Sequence, residues 1–159
     1  MSGFVMVSNA LLTHYNFYPK FNGNTLLVYA YLSKLNNAQW GYAFPSQNQA
    51  MADLGISDTT FKAQTSILQD CGLITVGERR EGAFTNKIYY VHDPIETASD
   101  FYAKYPEARV VYERKQATAT KVGASRRKAR EALQSKVDTQ GKAVANVVSA
   151  SDGVDLTWL

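Results

Sequence analysis

Apolar positions recur every three or four residues in three stretches of the first hundred residues. In NTLLVYAYLSKLNN, Leu27, Ala30, Tyr31 and Leu35 fall on one helical face, Asn24 can cap the start, and Asn36-Asn37 supplies a stop. In SQNQAMADL, Ser46 is a capping residue, and Ala50, Met51 and Leu54 form an apolar stripe. Gly55 ends that helix, because glycine accepts the positive φ that follows a last turn. Ile56 can plug the core beneath the turn. Ser57 then caps a further helix, and Asp58 suits its positive N-terminal end. On this helix Phe61, Gln64, Thr65, Leu68 and Cys71 share the inner face, and Gly72 ends it.

Period-two patterns follow. LITVGERR alternates loosely, EGAFTN with Gly82 and Asn86 reads as a turn, and KIYYV is a second strand, so the two strands pair as a hairpin. Ahead of the helices, WGYAFPS reads as a short strand or extended link around Gly41 and Pro45. Residues 4–21 are aromatic-rich and irregular, with SNALLTHY as one short helix capped by Ser8 or Asn9. His92-Asp93-Pro94 closes the compact region. Beyond it the periodicity weakens. One or two amphipathic helices are expected around Pro106 and another over Ser125–Lys136, while DTQGKAVANVVSASDG has a flexible composition and VDLTWL is apolar again.

Helix, tight glycine turn, helix, strand, turn, strand is the order of a helix-turn-helix with a wing. The expected fold class is α+β. Residues 1–95 form a winged helix-turn-helix, a three-helix core plus a β-hairpin wing, and residues 96–159 form a basic, partly helical or flexible extension that is partly disordered. The glycine lets the second helix project sharply from the first. In such a unit the second helix lies in the major groove with its N-terminal residues near base edges.

FPSQNQAMADLGISDTTFKAQTSILQDCGLI resembles the helix-turn-helix of phage and plasmid replication proteins, among them RepA-type initiators and DnaD-like primosomal proteins. The shared pattern maps onto Phe44-Pro45-Ser46, Ala52, Leu54-Gly55, Ser57, Thr60, Leu68 and Gly72-Leu73-Ile74, and NTLLVYAYLSKLNN fits the leading helix of these domains. The resemblance spans residues 8–93. It implies a sequence-specific protein of double-stranded DNA that acts at a replication origin. Bacterial transcription regulators share the motif, so a repressor or activator at an operator is the alternative. A winged helix that binds protein is a third reading.

The candidate contacts follow from exposure. Ser46 and Gln47 open the first motif helix, whose N-terminus can donate N–H groups to a phosphate. Ser57, Thr59, Thr60, Lys62, Ala63 and Ser66 belong to the start and outer face of the second helix, and the alternative for that face is plain solvation. Arg79, Arg80 and Lys87 flank the wing, where Glu78 and Glu81 can also pair with them. Residues 1–95 carry six basic and six acidic side chains, whereas the window Arg109–Lys136 holds nine basic against two acidic. That window, with Arg126, Arg127, Lys128 and Arg130 at its centre, suits a DNA-binding arm or a solubilising linker.

Other chemistry has little support. One cysteine, Cys71, allows no disulfide framework and suits a reducing, cytoplasmic setting. The first residues lack a basic segment and a long apolar run, so no signal peptide is expected. No stretch approaches the roughly 18 apolar residues of a membrane helix. His14 and His92 stand alone, so no metal is expected. No Gly-Lys-Ser or Gly-Lys-Thr phosphate loop occurs, and the carboxylates are scattered singly, so neither a cofactor nor an enzymatic role is expected. The ten aromatic residues between Phe4 and Phe44 suit a core or a homodimer interface better than base stacking. Partners are therefore DNA, a second copy, and a replication or transcription protein engaged through the extension.

Overall fold

The computed structural model describes residues 3–151. Within them, six α-helices and one antiparallel pair of strands build an α+β winged helix followed by a helical C-terminal region. The chain divides into two compact units, Met1–Glu113 and Arg114–Leu159.

In the first unit, α1 (Asn9–Leu12) begins at Ser8, whose hydroxyl accepts the Ala10 N–H. The second helix, α2 (Gly23–Leu35), is capped by Asn22 rather than Asn24. The Asn22 side chain accepts the N–H groups of Asn24 and Thr25, and the Thr25 hydroxyl accepts the Asn22 N–H. The buried face of α2 is Thr25, Val28, Tyr29, Tyr31 and Leu32, while Leu27 is exposed. The expected Leu27 stripe is displaced because α2 is covered from two directions. Thr25 donates to buried Gln64 at 2.5 Å, and the Tyr29 hydroxyl donates to the His92 carbonyl at 2.8 Å.

The helix-turn-helix follows its local signals closely. α3 (Gln47–Leu54) starts at Ser46, which accepts the Gln49 N–H, and ends at Gly55 with φ 66°. α4 (Asp58–Asp70) starts at Ser57, which accepts the Thr60 N–H. Its inner face buries Phe61, Gln64, Thr65 and Leu68, with Cys71 buried behind them. Phe61 meets Tyr89 edge-on at 6.1 Å. Burying one such ring contributes about 1.5–3 kcal/mol.

The wing pairs β1 (Ile74–Glu81) with β2 (Phe84–Val91) in unbroken register from Ile74 opposite Val91 to Glu81 opposite Phe84. The turn is shorter than the EGAFTN expectation. Only Gly82 and Ala83 remain outside the strands, and Gly82 carries φ 62°. Two-residue connections match strand twist best, which draws Phe84, Thr85 and Asn86 into the ladder. Ala43 and Tyr89 exchange backbone hydrogen bonds in an isolated antiparallel bridge, so the expected extended link docks beside β2 without forming a strand of its own.

The first unit does not end at the expected boundary after residue 95. α5 (Ala98–Lys104) and the first turns of α6 (Pro106–Ser151) bury Phe101, Tyr105 and Ala108 in the same core as Leu11, Tyr15 and Leu32. The Tyr15 hydroxyl accepts the Ile95 N–H at 2.9 Å, and a ring nitrogen of His14 lies 2.6 Å from the Ile95 carbonyl. The aromatic N-terminal segment is therefore the floor on which residues 95–108 pack.

α6 is one helix where two or more helices and a flexible stretch were expected. Pro106 occupies its first position, where proline lacks only an N–H that would be unpaired anyway. Residues 138–151 of the expected flexible stretch are helical, and Gln134 donates to Asp138 across one turn at 3.0 Å. Residues 152–153 of that stretch, and VDLTWL, lie outside the described residues.

The buried hydroxyl and thiol groups predict an alkaline limit to stability. Desolvation raises Tyr15, Tyr18 and Cys71 each to about 12, from ordinary values of 10.0 for the tyrosines and 9.0 for the cysteine. The unfolded chain releases these protons first, so the stability they contribute is present below pH 9 and falls as pH rises toward 12. Thermal melts should be level from pH 7 to 9 and drop steadily above that. A flat profile to about pH 11.5 would contradict the buried states of these groups.

Candidate nucleic-acid interface

Strand register decides which wing residues face the helices. Val76, Glu78 and Arg80 of β1 share one face with Thr85, Lys87 and Tyr89 of β2. Val76 and Tyr89 of that face, with Lys62, Thr65, Ser66 and Gln69 of α4 and Gln47 of α3, line a hollow of about 260 Å³ that Lys87 completes. A second hollow of about 470 Å³ is lined by residues 44–48 together with Thr85, Asn86, Lys87 and Tyr89. Gln47, Lys87 and Tyr89 are common to both, so the two form one open trough from the α3 N-terminus to the outer side of α4.

Five of the expected contact residues meet in this trough: Ser46, Gln47, Lys62, Ser66 and Lys87. Thr59 lies one turn before Lys62 on the same flank of α4, and both are exposed. Ala63 is exposed on the adjoining flank. Ser57 and Thr60 are committed to the helix start. Ser57 accepts the Thr60 N–H at 3.1 Å, and the two hydroxyl oxygens lie 2.9 Å apart.

Lys62 is held by its own helix. Its ammonium lies 2.6 Å from Asp58 Oδ2, with the two side chains 52% and 36% exposed. A pair this wet is worth only a few tenths of a kcal/mol, so a phosphate can displace it. The other carboxylate oxygen, Asp58 Oδ1, is buried without a hydrogen-bond partner among the described residues.

The wing arginines part company. Arg80 is exposed on the trough face, opposite Thr85. Arg79 points to the other face. There it donates to the Tyr42 hydroxyl at 3.0 Å, lies 3.1 Å from Glu81, and covers the Trp40 ring at 4.8 Å. Arg79 therefore clamps the hairpin to the Trp40–Phe44 segment rather than facing the trough.

Arg126, Arg127, Lys128 and Arg130 belong to the second unit, and all four are exposed on α6. Consecutive helical residues point about 100° apart, so these charges surround the helix instead of marking one face.

Asn48, Thr65, Gln69, Thr85, Asn86 and Tyr89 line the trough without having been singled out from the sequence. Two of them had a legible signal. Gln69 continues the Lys62, Ser66 spacing, and Thr85 shares strand parity with Lys87. Among the described residues no helix is long and apolar enough to cross a membrane, and no three His, Cys, Asp or Glu residues gather as metal donors.

No curated protein sequence matches the chain. One solved structure, described as the N-terminal domain of a DNA binding protein, is similar at 21% identity and a TM-score of 0.48 over 67% of this chain and 86% of that one. Residues 21–74, from the end of the aromatic segment to the first residue of β1, match the family model of a helix-turn-helix domain.

Proposed function

We propose that the chain is a non-enzymatic protein that binds double-stranded DNA sequence-specifically at a phage or plasmid replication origin. The observation that carries DNA contact is the trough, in which Ser46, Gln47, Lys62, Ser66 and Lys87 converge between α3, α4 and the wing. A helix start, neutral hydrogen-bonding groups and two ammonium groups in one open channel suit a phosphate backbone flanked by base edges. The origin assignment rests on the likeness of Phe44–Ile74 to replication initiators. Two copies on half-sites about one helical turn apart, and a replication partner for the extension, belong to the same reading.

Capture of genomic fragments followed by sequencing tests the assignment. Sites clustered at an origin support it, and sites clustered at promoters replace it with operator binding. The residues are tested separately. Lys62→Ala should weaken binding by about 1–3 kcal/mol, at one sequence if it reads a base and at all sequences if it holds phosphate. Asp58→Asn should strengthen binding, because it frees Lys62 and removes a negative charge. If neither variant changes affinity for any duplex, α4 is not the reading helix.

A further inference from the structure

Beyond Glu113 the long helix α6 has little in its own sequence to hold it together. All of residues 114–145 except Ala124 are exposed. Gly123 and Gly141 lie inside the helix, and glycine is the poorest helix former after proline. Residues 114–145 carry nine basic side chains against Glu131 and Asp138, and Arg126 and Arg130 set like charges one turn apart. Helices in proteins draw most of their stability from packing one face against something else.

Such a face is present. Val122, Leu133 and Val144 stand eleven residues apart and are 43–64% exposed. Eleven residues complete three helical turns to within about 20°. Ala129 and Val137 lie four residues on either side of Leu133, and Arg126 and Gln140 lie seven. At about 100° per residue, all of these positions fall within about 40° of Leu133. The strip is symmetric: outward from Leu133 in either direction, the steps are four, three and four residues.

An antiparallel pair of identical helices requires that symmetry, because a two-fold axis at Leu133 brings each position level with its mirror position in the other copy. Val122 then meets Val144, Ala129 meets Val137, and Leu133 meets itself. Arg126 meets Gln140 rather than a second Arg126. Charge favours the same direction. Residues 121–130 hold five basic side chains and no acidic one, whereas residues 136–145, which come level with them, hold Lys136, Asp138 and Lys142. A parallel pair would set the five cations against five.

We propose that α6 is a dimerisation helix, which pairs antiparallel with α6 of a second copy about a two-fold axis at Leu133. The Arg126 stem lies along the strip, and its guanidinium donates to the Gln140 side-chain carbonyl of the other copy. This polar layer fixes direction and register. Lys121, Arg127 and Lys128 lie more than about 100° away from Leu133 around the helix and stay free for phosphate. The inference supplies the contact between the two copies in the reading above, and its test needs no DNA.

Sedimentation of the full chain should show a concentration-dependent dimer that tightens as salt rises, because the remaining charge is repulsive. Leu133→Glu should raise the dissociation constant at least about tenfold. Gln140→Glu should lower it by setting a carboxylate opposite Arg126, and Thr139→Glu, the same charge on the outer face, should lower it less. Direction is read by oxidising cysteine variants, with wild type and its buried Cys71 as the control. Leu133→Cys should link to itself. Ala129→Cys and Val137→Cys should each stay unlinked alone, since like positions are about 12 Å apart along the axis, and should form a disulfide when mixed. All variants should keep the wild-type melt of the first unit, because their positions are exposed.

A monomer at high micromolar concentration in low and high salt overturns the pairing. A dimer that Leu133→Glu leaves unchanged also overturns it, because the contact would lie elsewhere. Self-linking of Ala129→Cys would make the helices parallel and overturns the proposed axis. A dimer that binds no duplex removes the DNA reading alone, and a monomer that binds duplex removes this inference alone.

Discussion

Phe101→Ala should cost the full chain about 3–5 kcal/mol of stability, as removal of a large ring from a packed core does. Phe101 is 0% exposed. Its ring lies 4.4 Å from Tyr15, 4.9 Å from His14 and 5.2 Å from Tyr105. These rings join the N-terminal segment to α5 and the start of α6. The cavity left by alanine would be walled by groups fixed through Ile95, whose N–H and carbonyl bind Tyr15 and His14. Such walls cannot collapse easily, which places the cost high in its range. Urea melts of the two proteins measure it. A loss below about 1 kcal/mol would mean that α5 merely rests on the domain. The same packing predicts that a chain ended at residue 95 exposes Tyr15 and folds poorly.

Phe101 also shows where sequence reading loses force. The helix-turn-helix was legible because its signals are local. Ser46, Gly55, Ser57 and Gly72 each meet a need of the backbone within four residues, and all four take the expected positions. The segment from Ile95 to Tyr105 has no such punctuation and only one helical turn of apolar pattern, so its burial depends on the distant partners Tyr15 and His14. Thr25 fails to look like a core residue for a related reason. It is polar alone, and only its hydrogen bond to Gln64, which helical spacing does place on the inner face of α4, makes its burial tolerable. The displaced face of α2 follows from that pair.

The candidate site divides along the same line. Lys62, Ser66 and Gln47 could be placed from helical spacing. The outward turn of Arg79 needed the hairpin register and the bridge between Ala43 and Tyr89, which sets Trp40 and Tyr42 beside it. Pro106 misled in the opposite direction. It reads as a breaker in mid-sequence, yet it starts α6, and the following residues need no further cap.

Ending the chain after Glu113 should flatten the salt dependence of DNA binding while leaving site preference intact. The cut keeps Phe101, Tyr105 and Ala108, all buried in the first unit, whereas a cut at residue 105 would remove Ala108 from the core. Residues 114–136 carry eight basic side chains against Glu131 alone. Each phosphate they neutralise contributes about 0.9 to the slope of log K against log salt. Four engaged cations would therefore lower that slope by about 3.6, and affinity would fall most at low salt. Base discrimination should survive, because Lys62, Ser66, Gln47 and Lys87 remain in their trough. Charges spread around a helix also give phosphates no fixed register in which to read sequence. Titrations of both proteins on specific and random duplexes at several salt concentrations measure both quantities. An unchanged slope would make the extension a spacer or a protein-binding element. A lost site preference would move specificity out of the winged helix and into α6.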